Sequence, residues 1–311
     1  MPPAHFDPAS LPAFAYFTEA GLAGIWSGPI GRPDLAEPLV EPVPETQGSW
    51  SPAVRLPDGT IVSLFSHGDT AELVAIAATG EPSVLLDRAG ASFGVAPEVG
   101  SIAVARRAGN GDGGVWQAWL DGRDPAQVLP ALPPEELAGR DAVALGADGQ
   151  AVAAAACDGA MQIRWPGGDP ERLDLGWPIG FAADAALIAF RDCGRAGIVR
   201  LEQGADPADV PLPGQGPYSA LLTPDRRRLA VLVQSETGPS RIVVRVFDGG
   251  EQAVVTLGRG GWDFTTDSTD RYLVLRRSDG DVGEFRFTWA VHDLLERWTG
   301  YFVVDDFPPE P

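Results

Sequence analysis

An acidic residue followed by proline recurs along this chain at a nearly constant interval. Glu37-Pro38, Glu81-Pro82, Asp124-Pro125, Asp169-Pro170 and Asp206-Pro207 carry it, and Glu251-Gln252 takes the same place in the next unit. Successive second positions lie 44, 43, 45, 37 and 45 residues apart. One further step ends near Leu295, just before Arg297-Trp298-Thr299, which makes seven units. A period of this length means stacked copies of one small element, none of which buries its apolar faces alone.

Other turns keep the same phase. Leu56-Pro57-Asp58-Gly59, Ala147-Asp148-Gly149, Ala183-Asp184-Ala185, Thr223-Pro224-Asp225 and Ser268-Thr269-Asp270 each precede a short apolar run: 61–65, 152–156, 187–190, 229–233 and 272–275. Asp/Gly hairpin signals follow at His67-Gly68-Asp69, Asp112-Gly113, Asp158-Gly159, Asp192-Cys193-Gly194, Glu236-Thr237-Gly238 and Asp279-Gly280. Tight hairpins require positive φ at a central residue, and Gly, Asn and Asp reach it most readily. Four short strands per unit of about 40–45 residues, repeated about 4–8 times, describe a β-propeller. The expected fold is therefore all-β: one domain over residues 1–311, a seven-bladed propeller of four-stranded antiparallel blades. The blades run roughly over 12–44, 48–88, 90–132, 139–175, 176–213, 216–258 and 261–300. Residues 289–298 read as a strand and turn. The first blade reads as starting at its second strand, 13–17, with its inner strand supplied by a closing strand at 301–304 (Tyr-Phe-Val-Val). Closure of that kind removes exposed sheet edges.

With a Ser/Thr-Pro-Asp-Gly turn, an apolar strand and then a Gly-Gly-Glu-Pro-like turn, nearly the whole chain resembles the TolB-like and prolyl-oligopeptidase-type (PD40-like) propeller repeats. Trp262-Asp263 opens a first strand, which disfavours the WD40 subtype. Prolyl-oligopeptidase relatives carry their catalytic triad on a separate α/β-hydrolase domain. This chain stops where that domain would begin, so the resemblance implies a propeller and no peptidase activity.

Composition narrows the chemistry. All 23 basic residues are arginine, which excludes a P-loop, a Schiff-base enzyme and a protein kinase, each of which needs a lysine. A formal charge of −20 repels phosphate backbones and anionic lipid, so neither nucleic acid nor a membrane is an expected partner. The N-terminus shows no basic and apolar leader pattern, which reads as cytoplasmic. Cys157 and Cys193 make no disulfide framework.

Two motif matches are discounted. Gly90-Ala91-Ser92-Phe93-Gly94 fits G-x-S-x-G but enters an inner strand with no helix behind it, as a nucleophile elbow requires. Residues 109–114 fit G-x-G-x-x-G, again without a helix to hold a pyrophosphate. The three histidines, His5, His67 and His292, have no paired-ligand spacing, and Asn110 is the sole asparagine. No metal and no cofactor are expected.

A site is expected on the face where inner strands begin and second strands end, around the central channel. Trp50, Trp177, Tyr218 and Trp262 stand seven or eight residues before their turn aspartates, and Phe93 stands near the equivalent point. Such rings either stack a ligand or wedge between blades. His67, Arg106, Arg107, Arg191, Arg195, Arg276 and Arg277 lie near second-strand ends, among Asp69, Asp112, Asp158, Asp192, Glu236 and Asp281. The expected ligand-binding set is Trp50, Phe93, Trp177, Tyr218, Trp262, Arg107, Arg191 and Arg277, with arginines able to grip a carboxylate in two places. His67, Asp69, Asp158 and Asp192 are the weak catalytic candidates. Arg226-Arg227-Arg228 reads as a solvated edge on the opposite face. Three functions follow: a binder of a small molecule, peptide or protein partner; a hydrolase, lyase or cyclase at the channel mouth; or a propeller subunit of a peptidase-like assembly. Alanine at Trp50, Trp177 or Trp262 should weaken binding in a folded protein if the rings meet a ligand. If they are wedges, denaturant titration should show a loss of about 3–5 kcal/mol.

Overall fold

A computed structural model of the chain describes residues 13–18, 22–29, 37–40, 43–44, 48–67, 70–106, 113–130, 142–155, 161–212, 218–234, 239–247, 253–257, 262–266, 272–278, 286–294 and 299–305. These residues form seven four-stranded antiparallel sheets, one after another along the chain. The first strands of the seven are Ala13–Thr18, Ser49–Arg55, Ala89–Ala96, Ala142–Leu145, Pro178–Phe181, Tyr218–Leu222 and Trp262–Thr266. Those of the third to sixth sheets run side by side, as do those of the first and second.

Sheets pack face to face, and this explains the uninterrupted apolar runs. Side chains alternate between the two faces of a strand, so a strand sandwiched between neighbouring sheets must be apolar at every position. In the second strand of the fifth sheet, Leu187 and Ala189 join the core shared with the fourth sheet. Ile188 and Phe190 join the core shared with the sixth. The same division holds at Val62 and Leu64 against Ile61 in the second sheet. Among the described residues, one buried cluster lies between each consecutive pair from the first sheet to the seventh.

Four of the strand connections share one hydrogen-bonding scheme. Gly59, Gly149, Ala185 and Arg226 each donate their N–H to the carbonyl three residues earlier, on Leu56, Gly146, Ala182 and Thr223. Asp58, Asp148, Asp184 and Asp225 each accept a backbone N–H two residues on. The fourth residue of each turn has positive φ: 89°, 71°, 66° and 57°. Glycine takes this conformation freely, whereas an L-residue gives up about 1–2 kcal/mol.

The two chain ends differ from the sequence expectation. Ala13–Thr18 pairs with Leu22–Pro29 and lies beside Ser49–Arg55, so it holds the first-strand position of its own sheet, not the second. Thr299–Asp305 pairs antiparallel with Arg286–Asp293, Tyr301 opposite Ala290 and Val303 opposite Thr288. It is the outer strand of the seventh sheet and not an inner strand of the first. A strand that returns through a short connection pairs with its sequence neighbour, the commonest outcome in sheets. Among the described residues, no helix is long and apolar enough to cross a membrane.

Where first strands run side by side, their backbones approach closely. A Cβ at Gly94 would stand 2.8 Å from the Leu145 backbone nitrogen and 3.1 Å from the Ala144 carbonyl carbon. A neighbouring backbone cannot step aside as a flexible side chain can. Gly94→Ala should therefore cost about 1–3 kcal/mol in urea unfolding, the range of an overpacked core. An unchanged midpoint would contradict that contact.

Candidate functional site

A cavity of about 470 Å³ lies where the first strands of the second to sixth sheets end. Its walls are chiefly apolar, with Phe93, Val95, Val143, Leu145, Ile179 and Leu222 contributing from successive first strands. This is the end of those strands opposite to the one the sequence pointed to. Strands rather than loops supply most of the wall; Gly94 lets neighbouring strands draw close there, and Gly180 leaves room for the Leu222 side chain.

Arg226 crosses this region. Its backbone sits in the turn that follows the first strand of the sixth sheet. Its Nη1 donates to the Leu145 carbonyl at 2.9 Å and its Nη2 to the Val95 carbonyl at 2.8 Å. One side chain thus ties the sixth sheet to the fourth and the third. The Arg226 carbonyl accepts the Ala183 N–H at 2.9 Å, which joins the turn to the fifth sheet as well. Burial pushes the guanidinium below its ordinary value, against the pull of Glu98 and Asp148; it stays charged all the same. The sequence reading of 226–228 as a solvated edge is corrected at Arg226. The missed signal was an arginine in the positive-φ position that glycine holds in the sister turns.

Asp184, in the adjoining turn of the fifth sheet, pairs with Arg200. Burial raises its carboxyl, but the Arg200 guanidinium outweighs this and holds it below the usual carboxylate range. Its contribution to stability is present above the unfolded carboxylate value and is lost as pH falls through the lower folded one.

Of the aromatic residues singled out, Trp50 is 6% exposed and packs with Ile25, Ile61, Val74 and Ile76 between the first and second sheets. Its ring centroid lies 4.6 Å from that of Phe65. Tyr218, 3% exposed, lies in the core between the fifth and sixth sheets. Trp177 packs partly buried against the cores on both faces of the fifth sheet, with the Arg195 guanidinium 4.7 Å over its ring. Phe93 alone of the set lines the cavity among the described residues. Trp262 opens the first strand of the seventh sheet, and its side chain lies outside the described residues.

The charged candidates scatter. His67 is exposed, within hydrogen-bond reach of the Thr70 hydroxyl and 3.8 Å from Glu72. Arg191 pairs with Asp209 on its own sheet. Asp192 accepts the Ala196 N–H at 3.1 Å in a loop turn. Arg277 is half-buried on the second strand of the seventh sheet. Asp69, Arg107 and Asp158 lie outside the described residues, as does most of the glycine-rich 109–114 segment. Ser92 of the G-x-S-x-G match accepts the Val143 N–H at 3.2 Å, a tie between the third and fourth sheets. Among the described residues, no three His, Cys, Asp or Glu side chains group to hold a metal ion.

No family model and no curated protein matches the sequence. Solved structures do match it. One from a study of two prolyl endopeptidases superposes with a TM-score of 0.66 at 14% identity, over 96% of this chain and 49% of that one. The fold is that of a β-propeller. A putative 6-phosphogluconolactonase from Bacteroides uniformis gives 0.57 at 16% identity, over 94% of this chain and 96% of that one. TolB from Acinetobacter baumannii gives 0.51 at 14% identity, over 94% and 79%. The chain spans about half the length of the prolyl endopeptidase, and these identities show likeness of fold. The solved structures it resembles thus include TolB and a prolyl endopeptidase, the kinds of propeller whose repeats its turns resemble.

Arg226 supplies a direct test of the cross-channel tie. Arg226→Ala keeps the positive-φ strain and removes both bonds to carbonyls, which should cost about 2 kcal/mol. Arg226→Gly removes the same bonds and relieves the strain, so it should recover about 1 kcal/mol of that loss in thermal and urea unfolding. Equal losses for the two variants would contradict the backbone assignment.

Proposed function

We propose that this propeller is a binding module whose ligand occupies the cavity at the ends of the first strands. The ligand is a small molecule, or a side chain or terminus of a peptide or protein partner, with an apolar body. One observation carries this reading: a cavity of about 470 Å³, walled by apolar side chains from five sheets and crossed by a fixed arginine. That volume falls in the range of small-molecule sites, which combine apolar walls with a few placed polar groups. Walls made of strands keep their shape without ligand, so little ordering free energy is lost on binding.

The other two readings draw on likeness alone. A small-molecule enzyme would follow the full-length resemblance to the putative lactonase, and a peptidase-like assembly the half-length resemblance to the endopeptidase. His67 and Asp192 do not line the cavity.

Val54 lines the cavity and is 38% exposed, so a larger side chain there can fill space without entering a core. Native mass spectrometry of untagged protein should show excess mass that disappears on denaturation. Val54→Trp should lose at least about tenfold of that retained fraction while its melting temperature stays near the parent's. Retention equal to the parent's would place the ligand elsewhere and overturn the reading.

A further inference from the structure

Arginine at position 226 is costly on three counts. Its backbone has φ +57°, in a turn where Gly59 and Gly149 hold the same place without strain. Its guanidinium is part-buried, and burial lowers its basicity. The acceptors it reaches, on Val95 and Leu145, are neutral peptide carbonyls, and the negative charge of Glu98 and Asp148 acts on it without a direct contact. Among the described residues, no carboxylate stands within ion-pairing distance of it. Nearby Asp225 is already committed to the Thr223 hydroxyl at 2.5 Å, the Arg227 N–H at 3.0 Å and the Arg228 guanidinium at 3.5 Å. Glu98, also on the lining, is exposed.

A second cleft, of about 460 Å³ between the third and fourth sheets, is lined by Arg123 and Arg164, neither of which donates to the carbonyls of two other sheets. Its Arg123 is matched by Asp121 at 2.8 Å and stacks on Trp119.

A guanidinium has five N–H donors. Two of those on Arg226 are used, and they hold the group fixed from two different sheets; three remain. A fixed cation with free donors beside an apolar cavity favours a carboxylate attached to an apolar body, because charge-assisted bonds are strongest where water is excluded.

We propose that Arg226 is the anion-recognition residue of the cavity, and that the ligand is a carboxylate on an aryl or alkyl body: a free organic acid or the C-terminus of a peptide. This inference rests on the binding-module reading and narrows it.

The full-length protein at about 0.15 M salt is titrated calorimetrically with benzoate, 3-phenylpropionate, 4-phenylbutyrate and decanoate, and with the primary amide of each. N-acetyl-alanyl-phenylalanine and its C-terminal amide form a separate arm that distinguishes a peptide terminus from a free acid. At least one acid should bind on the order of ten- to hundredfold tighter than its amide, the factor a charge-assisted bond supplies. Arg226→Gln should abolish that ratio while the amide still binds, and Arg226→Lys should restore part of it. An amide binding as well as its acid, in the parent protein, overturns the assignment of Arg226 and leaves the binding-module reading standing. Absence of binding by every acid and every amide overturns both. The acid-to-amide ratio is read on the parent, so the outcome does not depend on the variants folding.

Discussion

The structure depends on short strands being buried on both faces. Each of the second to sixth sheets is a thin plate whose middle strands touch a sheet on either side. That requirement removes the alternation of polar and apolar residues expected of a half-solvated strand, and it leaves little tolerance for a polar atom without a partner. Two interior polar side chains are put to use between sheets. Gln117, on the third strand of the third sheet, donates to the Ser101 hydroxyl at 2.5 Å and to the Gly149 carbonyl of the fourth sheet at 2.8 Å. Ser92 does similar work through Val143. The polar groups of the interior thus fix the spacing of plates whose apolar faces alone would tolerate sliding.

The turn aspartates set the second constraint. Each carboxylate accepts a backbone N–H two residues on, a local bond that favours the turn over continued strand. The price falls on the following residue, which must take positive φ. Two sister turns meet this with glycine and one with alanine, and the sixth sheet meets it with arginine. That turn and the fourth sheet's carry one extra residue: Thr223 donates its N–H to the carbonyl of Arg228 and Gly146 to that of Ala151, each five positions on, whereas Leu56 donates to that of Thr60, four on. Of the four turns, it is in the sixth sheet's that the side chain at the positive-φ position reaches two other sheets.

The architecture was legible because its signals are local and repeated. The aspartate turns, the apolar runs such as Leu187–Phe190 and the glycine hairpins report the conformation of their own few residues, and seven copies reinforce one another. The site was less legible for a related reason. Trp50, Trp177 and Tyr218 share a phase with the repeat, and equal phase means equal structural position. Trp50 and Tyr218 take it as rings buried between sheets. Arg226 was missed because its partners lie 81 and 131 residues away, a separation that no periodicity encodes. The outer strand at Thr299–Asp305 was misassigned because an apolar run of that length suits an inner or an outer strand equally. Pairing with its neighbour decided the matter.

A charge of −20 bears on how such a cavity would take an anion. Surface charges farther than about 8 Å are largely screened at physiological salt, whereas a water-excluded contact is screened far less. The net negative charge would therefore act mainly on approach, and slow it, while the part-buried guanidinium would act on the bound state. Affinity under those conditions comes from slow release and not from fast capture. A wall of strands suits that regime: Gly94 sets the separation of the third and fourth sheets' first strands, and the Arg226 head group is held by the carbonyls of Val95 and Leu145. The bound geometry is then present before the ligand arrives, and the guanidinium need not be reorganised once water has left.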